Sequence, residues 1–256
     1  MTDSQQQAHA LSFGPVAEQY DAARPSYPDA LVDALERLAG RPLRGADVVD
    51  VGAGTGIATR LLAARGARVL AVEPSPGMAA RLRAVSPDLP VVKGVGDELP
   101  LHDGSADLVT YAQAFHWTDP ERSVPEALRV LRPGGSLALW WNVKDRAVDW
   151  IAAQERRLAA ALPSYHFYGS SLTAFAEPLA ARGLEVGTAR LHWERQVTLD
   201  SHLADLGSRS YFAVLPAERQ APVLAAEREA LLAGHPDGVL TEPYVLDLFV
   251  ARRPAA

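Results

Sequence analysis

The chain of 256 residues contains no cysteine. This absence excludes disulfide bonds, thiolate metal sites, cysteine-bound iron–sulfur clusters and a cysteine nucleophile. There is no basic excess either, because 25 Lys and Arg residues stand against 31 Asp and Glu residues. The composition therefore does not favour a nucleic-acid partner or an anionic membrane surface.

Long apolar runs are also missing from the sequence. No run approaches the ~18–20 residues that a membrane-spanning helix requires, and the first residues lack the charge and apolar core of a signal peptide. We therefore expect a cytoplasmic protein. No pair of histidines or carboxylates has metal-ligand spacing on one element, so we predict no metal site.

What the sequence does contain is a strand–turn–helix–strand pattern over residues 46–73. Its first apolar run suits a strand that is buried on both faces, and it ends in three alternating glycines, Gly52, Gly54 and Gly56. Helical spacing follows, and a second apolar run ends at Glu73. Glycines let a backbone approach a ligand, and a carboxylate at the end of the second strand can accept both ribose hydroxyls. The pattern predicts a nucleotide-binding βαβ unit.

The glycine spacing decides which nucleotide this unit binds. Ile57 and Thr59 stand where the dinucleotide fingerprint G-x-G-x-x-G needs a glycine, which argues against an NAD-dependent oxidoreductase. Asp50 followed by three alternating glycines resembles the first motif of class I S-adenosylmethionine (SAM) dependent methyltransferases. The resemblance implies SAM as cofactor and S-adenosylhomocysteine (SAH) as product, with the ribose on Glu73 and the methionine end over Gly52–Gly54.

Further motifs extend the resemblance over residues 13–142. The segment 13–28 is similar to a "Y-D-x-x-R-P-x-Y-P" opening, residues 130–137 read V-L-R-P-G-G-S-L, and residues 112–117 read A-Q-A-F-H-W. Together they resemble the UbiE-type methyltransferase domain family, and more narrowly its trans-aconitate methyltransferase-like branch. The "[D/N]-P-P-[Y/F]" box of enzymes that modify DNA adenine or glutamine amides is absent at the fourth strand.

The resemblance implies an α/β, Rossmann-like sheet of seven strands in the order 3-2-1-4-5-7-6, with helices on both faces. We predict an N-terminal segment and cofactor lid at residues 1–27, for which a plain capping helix is the alternative. Residues 28–142 are predicted to form the SAM-binding core. Residues 143–256 are predicted to complete the sheet and to insert a helical substrate cap between its last two strands.

Cofactor contacts are expected from the N-terminal segment and from the carboxyl ends of the first four strands. The predicted residues are Tyr20, Arg24, Tyr27, Asp50, Gly52, Ala53, Gly54, Glu73, Pro74, Met78, Gly96, Asp97 and Gln113. The first three would reach the methionine carboxylate. Met78 would contact adenine, although methionine is also a common filler of core gaps.

The chemistry and the substrate are less defined. Methyl transfer from a sulfonium is an in-line displacement, so the protein mainly aligns and desolvates the reactants. His116, at the exit of the predicted fourth strand, is either a general base or a wall residue.

The predicted substrate contacts are Phe115, Trp117, Trp141, Tyr165, Arg209 and Tyr211. Because side chains alternate along a strand, Trp140 and Trp141 cannot both face the pocket. Arg209 would hold a substrate carboxylate, unless it is an exposed arginine at a helix end.

We therefore expect methylation of a small molecule at a hydroxyl or carboxyl oxygen, with nitrogen or carbon as alternative acceptors. One rival hypothesis is a SAM-bound protein that transfers no methyl group. Another is an RNA or protein methyltransferase, and the acidic net charge argues against RNA.

Overall fold

The computed structural model describes residues 21, 24–162, 165, 177–213 and 215–255. Seven strands form one sheet. Their bounds are β1 Asp47–Val51, β2 Arg68–Val72, β3 Val91–Val92, β4 Ala106–Ala112, β5 Leu131–Lys144, β6 Val186–Thr198 and β7 Val239–Arg252. The order β3-β2-β1-β4-β5-β7-β6 confirms the order expected from the sequence. Strands β1 to β5 are parallel to one another, and β7 is antiparallel to both β5 and β6.

Helices precede the sheet, connect its parallel strands and separate β6 from β7. Their bounds are α1 Asp29–Ala39, α2 Ile57–Ala64, α3 Pro76–Val85, α4 Pro120–Val130, α5 Asp149–Ala161, α6 Glu177–Ala180, α7 Leu199–Gly207, α8 Ser210–Ala213 and α9 Ala217–Gly234. A 3₁₀ turn, Phe115–Trp117, follows β4. No helix within the described ranges is both long and apolar enough to cross a membrane.

The sheet is buried on both faces because its central strands are apolar on both sides. Val49 of β1 packs in one core cluster together with residues of α4, whereas Val48 packs in a second cluster with residues of α1 and α2. The same alternation places Trp141 in the first cluster and Trp140 in the second. The two tryptophans therefore lie on opposite faces, as the alternation predicted.

Helices α5, α7, α8 and α9 have an apolar core of their own. Leu158, Leu203, Phe212 and Leu231 belong to this third cluster, and Leu240 of β7 joins it to the sheet. The helical cap expected between the last two strands is thus present as α7 to α9, packed on α5.

Candidate cofactor and substrate site

A cavity of about 570 Å³ lies at the carboxyl ends of β1, β2 and β4. The parallel strand order reverses between β1 and β4, and ligands of open α/β sheets bind at this switch point. The volume falls in the range of about 300–1,000 Å³ that is usual for small-molecule and cofactor sites. The sheet topology alone therefore places a ligand site here.

The glycine turn after β1 forms one wall of the cavity. Gly52 has a φ of 68° and Gly54 a φ of 59°, both in the left-handed region that favours glycine. A Cβ on Gly52 would lie 2.6 Å from the Cβ of Ala114, so the turn packs closely against the segment after β4. A Cβ on Gly54 would meet nothing within 4 Å. The backbone at Gly54 is therefore open to a ligand.

Glu73, which follows β2, lies against this turn and is only 5% exposed. Its Oε2 accepts the Gly54 N–H at 2.8 Å, and its Oε1 accepts the Ser75 N–H at 2.8 Å. Burial raises the pKa of the Glu73 carboxyl, and the two backbone N–H bonds oppose that rise. Each carboxylate oxygen can accept a further hydrogen bond. The geometry fits a pair of ribose hydroxyls, which is the role expected from the sequence.

Asp50 lies behind the cavity wall rather than in it. Its side chain is fully buried and accepts hydrogen bonds from the Thr59 hydroxyl at 2.6 Å and the Thr110 hydroxyl at 2.9 Å. Burial raises its pKa to about 6. The prediction that Asp50 contacts the cofactor directly is therefore not supported by its position, and its bonds instead join β1 to α2 and β4.

The remaining predicted cofactor residues that the structure describes line the cavity together. They are Arg24, Tyr27, Ala53, Pro74, Met78, Gly96, Asp97 and Gln113. Tyr20 and most of the predicted lid lie outside the described residues, so the lid stays a prediction.

Two of these positions have unusual backbones or close packing. Gln113 is the only non-glycine residue in the described ranges with a positive φ, at 54°. Such strain is characteristic of functional sites. At Gly96, an added Cβ would lie 2.7 Å from the Thr118 Cγ2 and 2.9 Å from the Tyr111 ring. Only glycine lets this loop approach the exit of β4 so closely.

Four of the six predicted substrate residues line the cavity: Trp117, Trp141, Arg209 and Tyr211. The structure does not place the other two there. Phe115 is fully buried in the core and packs edge-to-face on Tyr111, with ring centroids 5.3 Å apart. Tyr165 packs on Tyr211 at 5.1 Å in the cap. Phe115 and Tyr165 were predicted to contact substrate because they are aromatic and lie in segments expected near the cavity. The 3₁₀ turn instead directs the Phe115 ring into the core.

His116 also lines the cavity, at the exit of β4. The indole Nε1–H of Trp141 donates a hydrogen bond to its Nδ1 at 3.3 Å. The Trp117 ring lies beside the imidazole, with centroids 4.7 Å apart. The position matches the sequence-based expectation, and the ring is held by two of the residues predicted to contact substrate.

Arg209 is an ion-paired residue of the cavity wall, not an exposed arginine at a helix end. Its side chain is 23% exposed, and its Nη2 lies 2.7 Å from Oδ2 of Asp205. The Nε of Arg24 lies 3.5 Å from the other oxygen of the same carboxylate. Two guanidinium groups thus lie against one buried carboxylate beside the cavity.

Asp205 was not predicted from the sequence as a residue of the site. Its spacing of four residues from Arg209 is the only signal that could have indicated the pair, because i, i+4 residues of opposite charge meet on a helix. The contact with Arg24 joins residues far apart in the chain and has no local signal.

Comparison with known proteins agrees with this geometry. The family model described as "Methyltransferase domain" matches residues 49–139. An uncharacterized methyltransferase of Mycobacterium tuberculosis (strain H37Rv) is 38% identical over 240 residues, which cover 92% of this chain and 93% of that protein.

Two further similarities cover most of the chain. The malonyl-[acyl-carrier protein] O-methyltransferase of Methylococcus capsulatus is 37% identical over 216 residues, covering 78% of this chain and 76% of that protein. A solved structure of a proposed type II methyltransferase from Anaeromyxobacter dehalogenans is 27% identical. It superposes with a TM-score of 0.69 over 91% of this chain and 99% of that one.

Proposed function

Since the chain belongs to the class I SAM-dependent methyltransferases, we propose that it transfers the methyl group of SAM to a hydroxyl or carboxyl oxygen of a small molecule. One observation carries this proposal. The Gly54–Glu73 cradle, His116 and Arg209 all line a single cavity. Cofactor and acceptor can therefore meet in one cavity.

In this proposal each part of the cavity has a distinct task. Glu73 accepts the ribose hydroxyls, and the open backbone at Gly54 receives the methionine end. SAM, when bound, supplies both the methyl group and a neutral leaving group. What remains for the protein is alignment and exclusion of water, which convert a bimolecular step into an effectively unimolecular one. The aromatic wall of Trp117 and Trp141 suits that task.

Two observations favour oxygen and an acidic substrate. Arg24 and Arg209 both line the cavity, and guanidinium groups are suited to bind a carboxylate on the substrate. In addition, the Methylococcus relative is named an O-methyltransferase of a malonyl group, which ends in a carboxylate. The narrower resemblance to the trans-aconitate branch stays a prediction.

An Arg209→Met variant should raise the KM for the acidic substrate by roughly tenfold to a hundredfold, because a hydrogen bond to a charged group contributes about 1.5–3 kcal/mol. SAM affinity should change little. Arg228→Met is the matched control, because Arg228 pairs with Asp200 in an exposed ion pair of the cap. Steady-state kinetics at saturating SAM would measure both variants, and an unchanged KM in Arg209→Met would remove Arg209 from the substrate site.

The proposal itself is tested by incubating the protein and SAM that carries a deuterated methyl group with a small-molecule extract. Mass spectrometry should detect SAH together with a product that carries the label on oxygen. Mild alkaline hydrolysis releases the label from an ester but not from an ether, which separates a carboxyl from a hydroxyl acceptor. A label on nitrogen or carbon would contradict the proposal. Absence of SAH with every extract would favour a SAM-bound protein that does not methylate.

A further inference from the structure

The hydrogen bond between Trp141 and His116 fixes the position of a proton. An indole Nε1–H can only donate, so the Nδ1 that receives it at 3.3 Å must present a lone pair. A neutral imidazole carries one proton, which then resides on Nε2. We propose that Trp141 is a positioning residue that holds His116 in the Nε2–H tautomer, so that the ring offers the substrate a hydrogen-bond donor and not a base.

Rigid surroundings support this arrangement. Trp141 is 1% exposed on β5 and packs edge-to-face on Phe249 of the adjacent β7, with centroids 6.2 Å apart. His116 lies in the turn directly after β4, the other neighbour of β5, and Trp117 lies beside its ring. Neither partner can leave the hydrogen bond without a change in the packing around it.

The opposite tautomer is disfavoured at this site. A proton on Nδ1 would face the indole N–H, so two donors would meet and this hydrogen bond would be lost. The loss of one typical hydrogen bond corresponds to a bias of up to roughly tenfold toward the Nε2–H form.

This tautomer determines which role His116 can have in methyl transfer. The role described next rests on the proposed function. A general base needs a lone pair directed at the proton that it removes. In the Nε2–H form the only ring lone pair lies on Nδ1, against Trp141. His116 would therefore not deprotonate a hydroxyl, and the acceptor must be ionised before it binds.

A carboxylate meets this requirement, because its ordinary pKa of about 4 leaves it ionised at neutral pH. The His116 Nε2–H would donate to one carboxylate oxygen while the other attacks the methyl carbon. The new O–CH₃ bond forms as the S–CH₃ bond breaks, and the bonding electron pair stays on sulfur. The negative carboxylate and the positive sulfonium give a neutral ester and a neutral thioether, so no proton has to be removed.

Nitrogen NMR of protein labelled with ¹⁵N in its histidines tests the tautomer directly, without substrate or cofactor. The chain has seven histidines, and loss of a signal in His116→Asn assigns the one of interest. Above neutral pH, we expect the wild-type His116 signals to be those of a protonated Nε2 and an unprotonated Nδ1. A proton on Nδ1 in the wild type would overturn the proposal whether or not any variant folds.

Trp141→Phe removes the indole N–H and keeps an aromatic ring. We expect the His116 nitrogen signals to move toward a mixture of tautomers in this variant. Trp140→Phe is the matched control, since Trp140 is also 1% exposed but its Nε1 has no hydrogen-bond partner within the described ranges. Its His116 signals should be those of the wild type. Identical His116 signals in Trp141→Phe and the wild type would also overturn the proposal.

Kinetics separate a donor from a base. His116→Gln retains an N–H donor and should keep turnover within about tenfold of the wild type, whereas His116→Phe should lose more. If His116 were a base, both variants would lose turnover alike, by at least roughly a hundredfold. The NMR outcome does not depend on methyl transfer, so failure of the proposed function and failure of this inference can be distinguished.

Discussion

A Glu73→Ala variant is expected to bind SAM at least about tenfold more weakly than the wild type. The two carboxylate oxygens lie on the cavity wall, where both ribose hydroxyls can donate to them. A hydrogen bond to a charged group contributes about 1.5–3 kcal/mol, and about 1.4 kcal/mol is a factor of ten in affinity. Loss of even one of these bonds therefore gives the expected change, and isothermal titration calorimetry would measure it.

Glu73 also accepts the Gly54 and Ser75 backbone N–H groups, so the substitution could disturb the turn. Glu73→Gln is the matched control, because its amide oxygen can still accept one of these bonds while the charge is lost. We expect an intermediate SAM affinity for this variant, with thermal unfolding of the ligand-free protein close to that of the wild type. An unchanged affinity in Glu73→Ala, or tighter binding of NAD than of SAM, would contradict the assignment.

The largest expected effect on stability is at Glu242, a fully buried residue of β7. Its Oε1 lies 2.6 Å from the His202 Nδ1 and 2.5 Å from the Lys144 Nζ. Its Oε2 accepts hydrogen bonds from Arg195 Nε and the Tyr244 hydroxyl, each at 2.7 Å. This cluster joins β5, β6 and β7 to α7, the helix that carries Asp205.

A Glu242→Ala substitution would remove the buried carboxylate that pairs with the half-buried cations Lys144 and Arg195. Breaking a buried ion pair by removing one partner typically costs about 3–5 kcal/mol, and we expect a loss of free energy of unfolding of that size. Asp200→Ala is the control, because its exposed pair with Arg228 should contribute at most about 1 kcal/mol. Urea denaturation would compare them, and a loss at Glu242 no larger than at Asp200 would contradict the expected role of the cluster.

The same cluster predicts how stability depends on pH. Burial raises the pKa of the Glu242 carboxyl, but the hydrogen bond from His202 and the charge of Lys144 outweigh burial and hold it far below its ordinary value. A carboxyl whose pKa is lower in the folded than in the unfolded state stabilises the fold above the unfolded pKa, about 4.3. This stability is lost as the pH falls below that value. Denaturation measured from pH 6 down to pH 3 should show a steeper loss in the wild type than in Glu242→Gln, and equal slopes would contradict this assignment.

The predicted cofactor residues that the structure describes, apart from Asp50, line one cavity, and the sequence signals for them are local. The glycines of the turn and Glu73 occupy the ends of β1 and β2, and each strand end can be recognised from a few residues. The placement of Trp140 and Trp141 on opposite faces followed from the two-residue period of a strand. Strand order came with the family resemblance rather than from the residues themselves.

What the sequence did not predict depends on contacts between distant parts of the chain. Asp50 is close to the glycines in sequence, but its side chain is fully buried, and hydroxyls from α2 and β4 donate hydrogen bonds to its carboxylate. The sharing of Asp205 between Arg24 and Arg209 joins α7 to a segment before α1. No pattern within either segment encodes that contact.

The last strand illustrates the same limit. The apolar pattern alone indicates a strand over residues 244–251, whereas β7 runs over Val239–Arg252. The additional residues pair with β6 through Thr198↔Val239 and onward to Trp193↔Tyr244. Polar residues such as Glu242 belong to the strand because partners on other elements neutralise them, and periodicity alone does not reveal those partners.

A crystal structure of the protein with SAH bound would show whether the Glu73 carboxylate holds the ribose. We expect the two ribose hydroxyl oxygens within hydrogen-bonding distance of the Glu73 carboxylate, and the sulfur atom directed toward His116 and Trp117. The Glu73→Ala variant should show lower SAH occupancy at the same SAH concentration. SAH bound elsewhere, or with its ribose remote from Glu73, would contradict the account.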